Sequence, residues 1–464
     1  MKKTFLYLML AAGLMGCAKE FVPVPEQTPA GTPMSFEISV AVTRAAKTDW
    51  AAGDEIYIFF KGLAGKYLVL SYDGSSWTNA AGGEDFVESD FAGLSDYKLT
   101  AVHFPKAVDV TYADSRFSFT SGSKPVYNFY LFEEGKDYTV DGKTVNATLS
   151  MRKPEKMAQF HVSGIQDNVA DYTFGCSKIK PVACTSVGTD GAITESVLQA
   201  GARLEGVADA DGGIFAGRLT SPGAAADYTF TVASDDNIYT LTRTGKTLTA
   251  GAVYNFPALS STGSSNWAVT AASNLYLDLG LSVKWAKYNL GATTEIGFGN
   301  YFAWGEVPGY NEGKTNFAWS TYVWGTDSPF IKYDRHRDNL PTLEKEDDAA
   351  YAALGGKFRM PTCAEIDELL ALEKAWVSDY NNTGIAGYKF TGNGQTLFLP
   401  AAGDRNGTNL NDTGSWGVYW SSSLDVNMGS SFRAYYLTFN SETGEARRYF
   451  MNRFYGFPIR PVSD

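Results

Sequence analysis

Gly355-Gly356-Lys357-Phe358-Arg359-Met360-Pro361-Thr362 is the stretch whose reading sets the fold of this chain. It stands between two helix signals. Upstream, Leu343 to Leu354 starts with Glu344, Glu346, Asp347 and Asp348, becomes Ala-rich and stops at the glycine pair. Acids suit a helix start and glycine suits its end. Downstream, Thr362-Cys363-Ala364-Glu365 is a capping box, and Ile366, Leu369 and Leu370 share one helical face. The C-terminal part of the chain is therefore expected to set two short helices among strands. It continues through Leu399-Pro400-Ala401-Ala402-Gly403-Asp404-Arg405 and Gly417-Val418-Tyr419-Trp420-Ser421-Ser422-Ser423, and closes on Gly456-Phe457-Pro458-Ile459-Arg460-Pro461-Val462.

The rest of the chain reads as a means of presenting that part. Gly is frequent, aromatics make up 14% and charged residues only 19%, which with few helical patterns predicts a mainly β protein. A net charge of −12 and no basic run exclude nucleic acid as a partner. Lys2 and Lys3, an apolar run from Phe5 to Leu14, and Leu14-Met15-Gly16-Cys17 form a secretory signal over 1–16, too short for a spanning helix. Its last four residues resemble the lipobox of bacterial lipoproteins. The resemblance implies cleavage before Cys17 and a lipid on its thiol; the alternative is an ordinary signal with a chance cysteine. Ala18 is not the aspartate that holds lipoproteins at the inner membrane. Lys19-Glu20 is similar to the export tag of Bacteroidetes surface lipoproteins, which implies an outer-membrane, surface-exposed anchor. Residues 17–35, with four prolines between Phe21 and Pro33, read as an extended tether.

From Phe36 the pattern becomes short alternating runs. Phe36 to Val42 is a strand by its period of two, and Ala52-Gly53-Asp54 turns the chain into the apolar strand Glu55 to Phe60. Tyr228 to Val232 and Ile238 to Thr242 flank Ala233-Ser234-Asp235-Asp236-Asn237 as a hairpin. Thr43-Arg44-Ala45, Trp50 to Ile56, Tyr72 with Trp77, Tyr97 to Pro105, Met157 to Val162 and Leu248 to Phe256 together resemble the fimbrillin-like (Mfa-like) proteins of Bacteroidetes. The resemblance implies two β-sandwich-like modules, 36–157 and 158–259, of the kind used in surface pili. Some members are cut after an arginine near the first strand, which makes Arg44 a candidate processing site. The plainer reading of Arg44 is an exposed residue at a strand end. His103 and His161 each sit among apolar neighbours in a strand and read as half-buried core.

Residues 260–274, beginning Ser260-Ser261-Thr262-Gly263-Ser264-Ser265-Asn266, read as a flexible linker. Beyond it the character changes: eight of the ten tryptophans lie after residue 266. That skew supports a third domain over 275–464. Asp278 to Ala286, Ala303-Trp304-Gly305-Glu306, Asp347-Asp348-Ala349-Ala350, Phe358 to Thr362, Leu399 to Gly403, Tyr419-Trp420-Ser421-Ser422 and Gly456 to Val462 resemble the Fibrobacter major paralogous domain. That resemblance implies an α+β, C-type-lectin-like fold. A more distant likeness is to formylglycine-generating enzymes, which share a Pro-Thr-x-x-Glu helix start and a Gly-Phe-x-x-Arg finish. The cysteine pair of those enzymes is missing, and no metal-ligand histidines are visible.

Cys176 and Cys184 are either a small-loop disulfide or two buried thiols on neighbouring strands. Cys363 has no sequence neighbour that would act as its base, so no catalytic role is expected. The stretch Gly403 to Trp416 is rich in oxygen side chains. Asp404, Asn406, Asn409, Asn411, Asp412 and Trp416 form a candidate ligand or calcium loop, set against the plain fact that loops are made of Asn, Asp and Gly. Alternation sends Tyr419 and Trp420 to opposite faces, with Trp420 expected in the core and Trp416 free to stack on a ligand or to pack. The expected whole is a non-enzymatic, lipid-anchored surface protein acting in adhesion or ligand binding, as a fimbrial tip or accessory subunit. Its partners would be the outer membrane, fimbrial subunits and a host glycan or protein. A glycan-capture role in nutrient uptake is the second reading, and a formylglycine-generating type of enzyme the third. Beyond calcium at the loop, no cofactor is expected.

Overall fold

The computed structural model describes residues 32–41, 50–80, 85–104, 108–121, 124–125, 130–165, 169–209, 212–260, 266–326, 329–426 and 431–464. Cys17 and Arg44, the expected lipidation and processing positions, lie outside these residues. The chain is mainly β, with strands from Ser35–Val40 to Val462–Ser463 and two α-helices in the C-terminal part, Ala349–Leu354 and Cys363–Ala371. None of the described helices is long and apolar enough to cross a membrane.

Strand Glu55–Phe60 shows why the first unit needs three layers. All five residues from Ile56 to Phe60 are buried. A strand sends alternate side chains to opposite faces, so both of its faces must be covered. Ile56, Ile58 and Phe60 join Ile38, Leu68, Leu99, Val145 and Leu149 in one cluster. Tyr57 and Phe59 join Phe117, Phe119, Val182 and Val187 in another. The central sheet runs Trp77–Asn79, Leu68–Tyr72, Glu55–Phe60, Lys98–His103, Leu131–Asp137. One face carries the sheet of Ser35–Val40, Thr144–Leu149 and Thr139–Asp141, the first pair parallel.

The other face carries a sheet that corrects the expected boundary at 157/158. Its order is Ile193–Val197, Val182–Gly188, Arg116–Ser121, Asp109–Ala113, with Val187 opposite Phe117. A hairpin from the expected second module thus completes the first one. The second sandwich proper pairs Met157–Ser163 with Gly212–Leu219 and Val253–Phe256 in one sheet, and Thr173–Gly175, Ala225–Ala233 and Asn237–Thr247 in the other. Phe160, Phe174, Phe215 and Phe230 fill the space between them.

The linker reading of 260–274 holds for little of that segment. Trp267 is 2% exposed in the second core, and its indole N–H donates to Pro257 O at 2.9 Å. Ala268–Ala271 pairs with Asn237–Thr240 as an edge strand of the second sandwich. A burial-seeking indole at 267 outweighs the polar composition around it. The disulfide reading also fails. Cys176 is a free, buried thiol just after strand Thr173–Gly175. The backbone of Cys184 belongs to strand Val182–Gly188 of a different sheet. Burial pushes the Cys176 thiol up to about 11.

In the third unit both expected helices form, but the first begins only at Ala349, after a separate 3-10 turn at Lys345–Asp347. Asp348 caps the first helix, its side chain accepting from Ala350 N and Tyr351 N, and Gly355 ends it at φ +67°. Thr362 and Glu365 form the capping box of the second helix, which buries Ile366 and Leu369. Between the helices, Phe358–Arg359 pairs with Val462–Ser463, which pairs in turn with Lys284–Ala286. The opening, middle and closing motifs thus meet on one small sheet. Tyr419 and Trp420, on strand Trp416–Leu424, divide as alternation requires: Tyr419 packs with Leu399 and Phe439, Trp420 with Trp304 and Phe457.

Candidate functional site

The oxygen-rich loop is a hairpin. Asp404–Asn406 pairs with Asn409–Asn411, Asp404 opposite Asn411 and Asn406 opposite Asn409. This register puts Asp404, Asn406, Asn409 and Asn411 on one face and Arg405 with Leu410 on the other. Gly403 makes the entry possible. It sits at φ +63°, and a Cβ there would lie 1.8 Å from Asn411 O. On the inner face Arg405 is 9% exposed, and its guanidinium lies 3.3 Å from the Tyr310 ring centroid. Arg405 N and Gly456 N each donate to the other residue's carbonyl, at 2.8 and 2.9 Å. A stacked arginine and that bridge hold the hairpin against the closing motif.

The polar face looks onto aromatic groups that sequence reasoning missed. Asn406 Nδ2 donates to Tyr455 Oη at 3.2 Å, and burial, with a smaller push from the Asp404 charge, raises the phenols of Tyr436 and Tyr455. Tyr436 is buried and sits edge-on to Tyr449, which is 45% exposed. Strand pairing sets Thr438 opposite both Val418 and Arg447, and Tyr436 opposite Tyr449. Trp416, Thr438, Arg447 and Tyr449 therefore share a sheet face beside the hairpin. The signal was present in Ala446–Asn452: its period of two exposes Arg447 and Tyr449.

Trp416 is half-buried, and its indole N–H donates to Thr438 Oγ1 at 2.6 Å. It forms a wall of this face rather than a free platform. Asp404 is partly buried, which, with the nearby Asp412 charge, holds its carboxyl above the usual carboxylate range against the pull of Asn411. Asp412 itself is exposed at the end of the hairpin, at φ +55°. For calcium the fit is poor. The recorded side-chain bonds of Asn406 and Asn411 are made by amide nitrogens, to Tyr455 and Asp404, whereas calcium needs roughly six to eight oxygens. Among the described residues no three His, Cys, Asp or Glu side chains gather as a metal site.

The other singled-out groups lie elsewhere. Cys363 opens a helix, and its backbone N–H donates to Ser423 Oγ at 3.0 Å. His103 Nδ1 is 2.7 Å from Glu55 O, and His161 Nδ1 is 3.3 Å from Asn255 Oδ1, both in the first two units. His336 lies in the third, its backbone N–H held by Asp334.

No family model matches the chain, and no curated protein does. Among solved structures it is similar to a protein from Bacteroides ovatus assigned to cell adhesion, at TM-score 0.28 and 14% identity, over 52% of this chain and 96% of that one. It is similar to a fimbrial protein from Bacteroides ovatus at TM-score 0.23 and 9% identity, over 94% and 99%. It is similar to the fimbrial anchor protein Mfa2 from Porphyromonas gingivalis at TM-score 0.21 and 12% identity, over 44% and 78%. Likenesses this distant carry no argument about what the chain does.

Proposed function

We propose that this is a cell-surface protein of adhesion or ligand binding, held at the outer membrane by a lipid on Cys17. In this reading the β units are a fimbrillin-like stalk, and the 275–464 unit is a C-type-lectin-like tip or accessory subunit of a fimbrium. The observation that carries the binding role is the exposed Tyr449 ring, with the Arg447 guanidinium 5.3 Å from its centroid. An exposed ring beside a guanidinium, on a sheet whose Tyr436 is buried, is the chemistry of a recognition surface. It offers no nucleophile paired with a base. The same chemistry suits a saccharide, so glycan capture remains the second reading. Processing after Arg44 belongs to the fimbrial reading.

The test is a screen of the purified intact chain against glycan and host-protein arrays, with and without calcium. Saturable binding that is lost in Tyr449→Ala supports the reading. Absence of any binding, or undiminished binding by Tyr449→Ala, refutes it. A calcium requirement would restore the hairpin as a metal loop. Iron or copper in the purified protein, with oxidation of thiol peptides, would favour the enzyme instead.

A further inference from the structure

The second sandwich carries a docking surface whose partner is the C-terminal unit of the same chain. Gln199 uses its whole amide there. Its Nε2 donates to Gly305 O at 2.8 Å and to Asp347 Oδ1 at 2.9 Å, and its Oε1 accepts from Val307 N at 3.0 Å. Four residues on, Arg203 is 5% exposed. Its Nη2 donates to Ala353 O at 2.9 Å and its Nε to Tyr351 O at 3.4 Å, in the last turn of helix Ala349–Leu354. Its Nη1 donates to Thr231 Oγ1 at 3.0 Å, with Thr231 O and Thr173 O further out. One guanidinium thus supplies a donor to the Ala353 carbonyl at the helix end, shares the Tyr351 carbonyl with Gly355 N–H, and ties both to two strands of the other unit.

On the Gly355–Phe358 side of this pin the surfaces are close-packed. A Cβ on Gly355 would stand 2.5 Å from Ala233 Cβ, and one on Gly356 2.5 Å from Ser234 O. Ala233, Ile238, Ala272 and Phe358 form one buried cluster across the junction, with Leu354 against it. The covalent connection is short as well. Ala268–Ala271 is paired into the second sandwich, and Tyr276–Leu277 is already in the sheet of the third unit. A hinge needs residues free to change φ and ψ, and this connection leaves none of any length.

We infer that the second sandwich and the C-terminal unit are one mechanical body pinned by Arg203 and Gln199, not a stalk with a swinging head. The ligand-binding reading is not needed for this. The test follows unfolding of the full chain in denaturant with one local probe on each side. Tryptophan emission reports the C-terminal unit, which holds seven of the ten tryptophans. Pulsed alkylation of Cys176, read by peptide mass, reports opening of the second core. The two curves should coincide in the native chain and separate in Arg203→Met. Gln199→Ala, a milder change at the same junction, should separate them too if Arg203→Met does not fold. Half-exposed Arg243→Met is the control and should leave them together. Separate curves in the native chain, or coincident curves in both junction variants, would overturn the inference.

Discussion

Arg460 Nε donates to Asn289 Oδ1 at 2.8 Å, joining positions 171 residues apart. The same guanidinium donates to Ala286 O, Lys287 O and Phe398 O. The arginine of the closing motif is therefore a buried clamp on the start of the domain. Burial draws it down to about 10, so it stays charged at neutral pH. Arg460→Met should strand four acceptors and cost at least about 3 kcal/mol, measured as a lower denaturant midpoint.

Asp348 provides a pH signature. Burial pushes its carboxyl up to about 6, against the pull of Met360, Tyr351 and Ala350 N–H groups. The folded state then holds this proton more tightly than the unfolded chain, whose carboxyl titrates near 3.8. The contribution is fully present below about 4 and is lost as pH rises through about 6. Denaturant midpoints across that window should fall with rising pH in the native chain, and Asp348→Asn should flatten the slope while lowering stability overall.

Glu306, from the Trp-Gly-Glu motif, holds buried Lys314 at 2.7 Å and accepts from Val323 N. The two side chains are 2% and 10% exposed. Glu306→Gln should leave the lysine charge uncompensated and cost about 3 kcal/mol. Limited proteolysis should then find new cuts between Gly305 and Val323.

Tyr449→Ala should leave stability within about 1 kcal/mol of the native chain, because the ring is 45% exposed. Ligand affinity, once a ligand is found by the array screen, should fall at least about tenfold. Titration of both proteins by calorimetry checks this. A matched loss of stability and affinity would make Tyr449 structural.

Cys17→Ser should move the protein out of the membrane fraction without changing its melting temperature. Cell fractionation and thermal unfolding read the two halves of that expectation.

The local signals were legible in the residues themselves. The capping box at Thr362, the stop at Gly355, the hairpin around Ser234 to Asp236 and the division of Tyr419 from Trp420 all depend on contacts within a few positions or on a strand's period of two. Those constraints are short-range, so the sequence carries them in full. Three features were settled by tertiary structure alone. The Val182–Val197 hairpin crosses to the first unit because both faces of Glu55–Phe60 need cover. Trp267 turns an apparent linker into an edge strand by burying its indole. Tyr455 meets Asn406 only when the closing motif folds back on Arg405. Each depends on which surfaces meet across tens to hundreds of residues, and a one-dimensional pattern of polarity records that a face is apolar without recording what covers it.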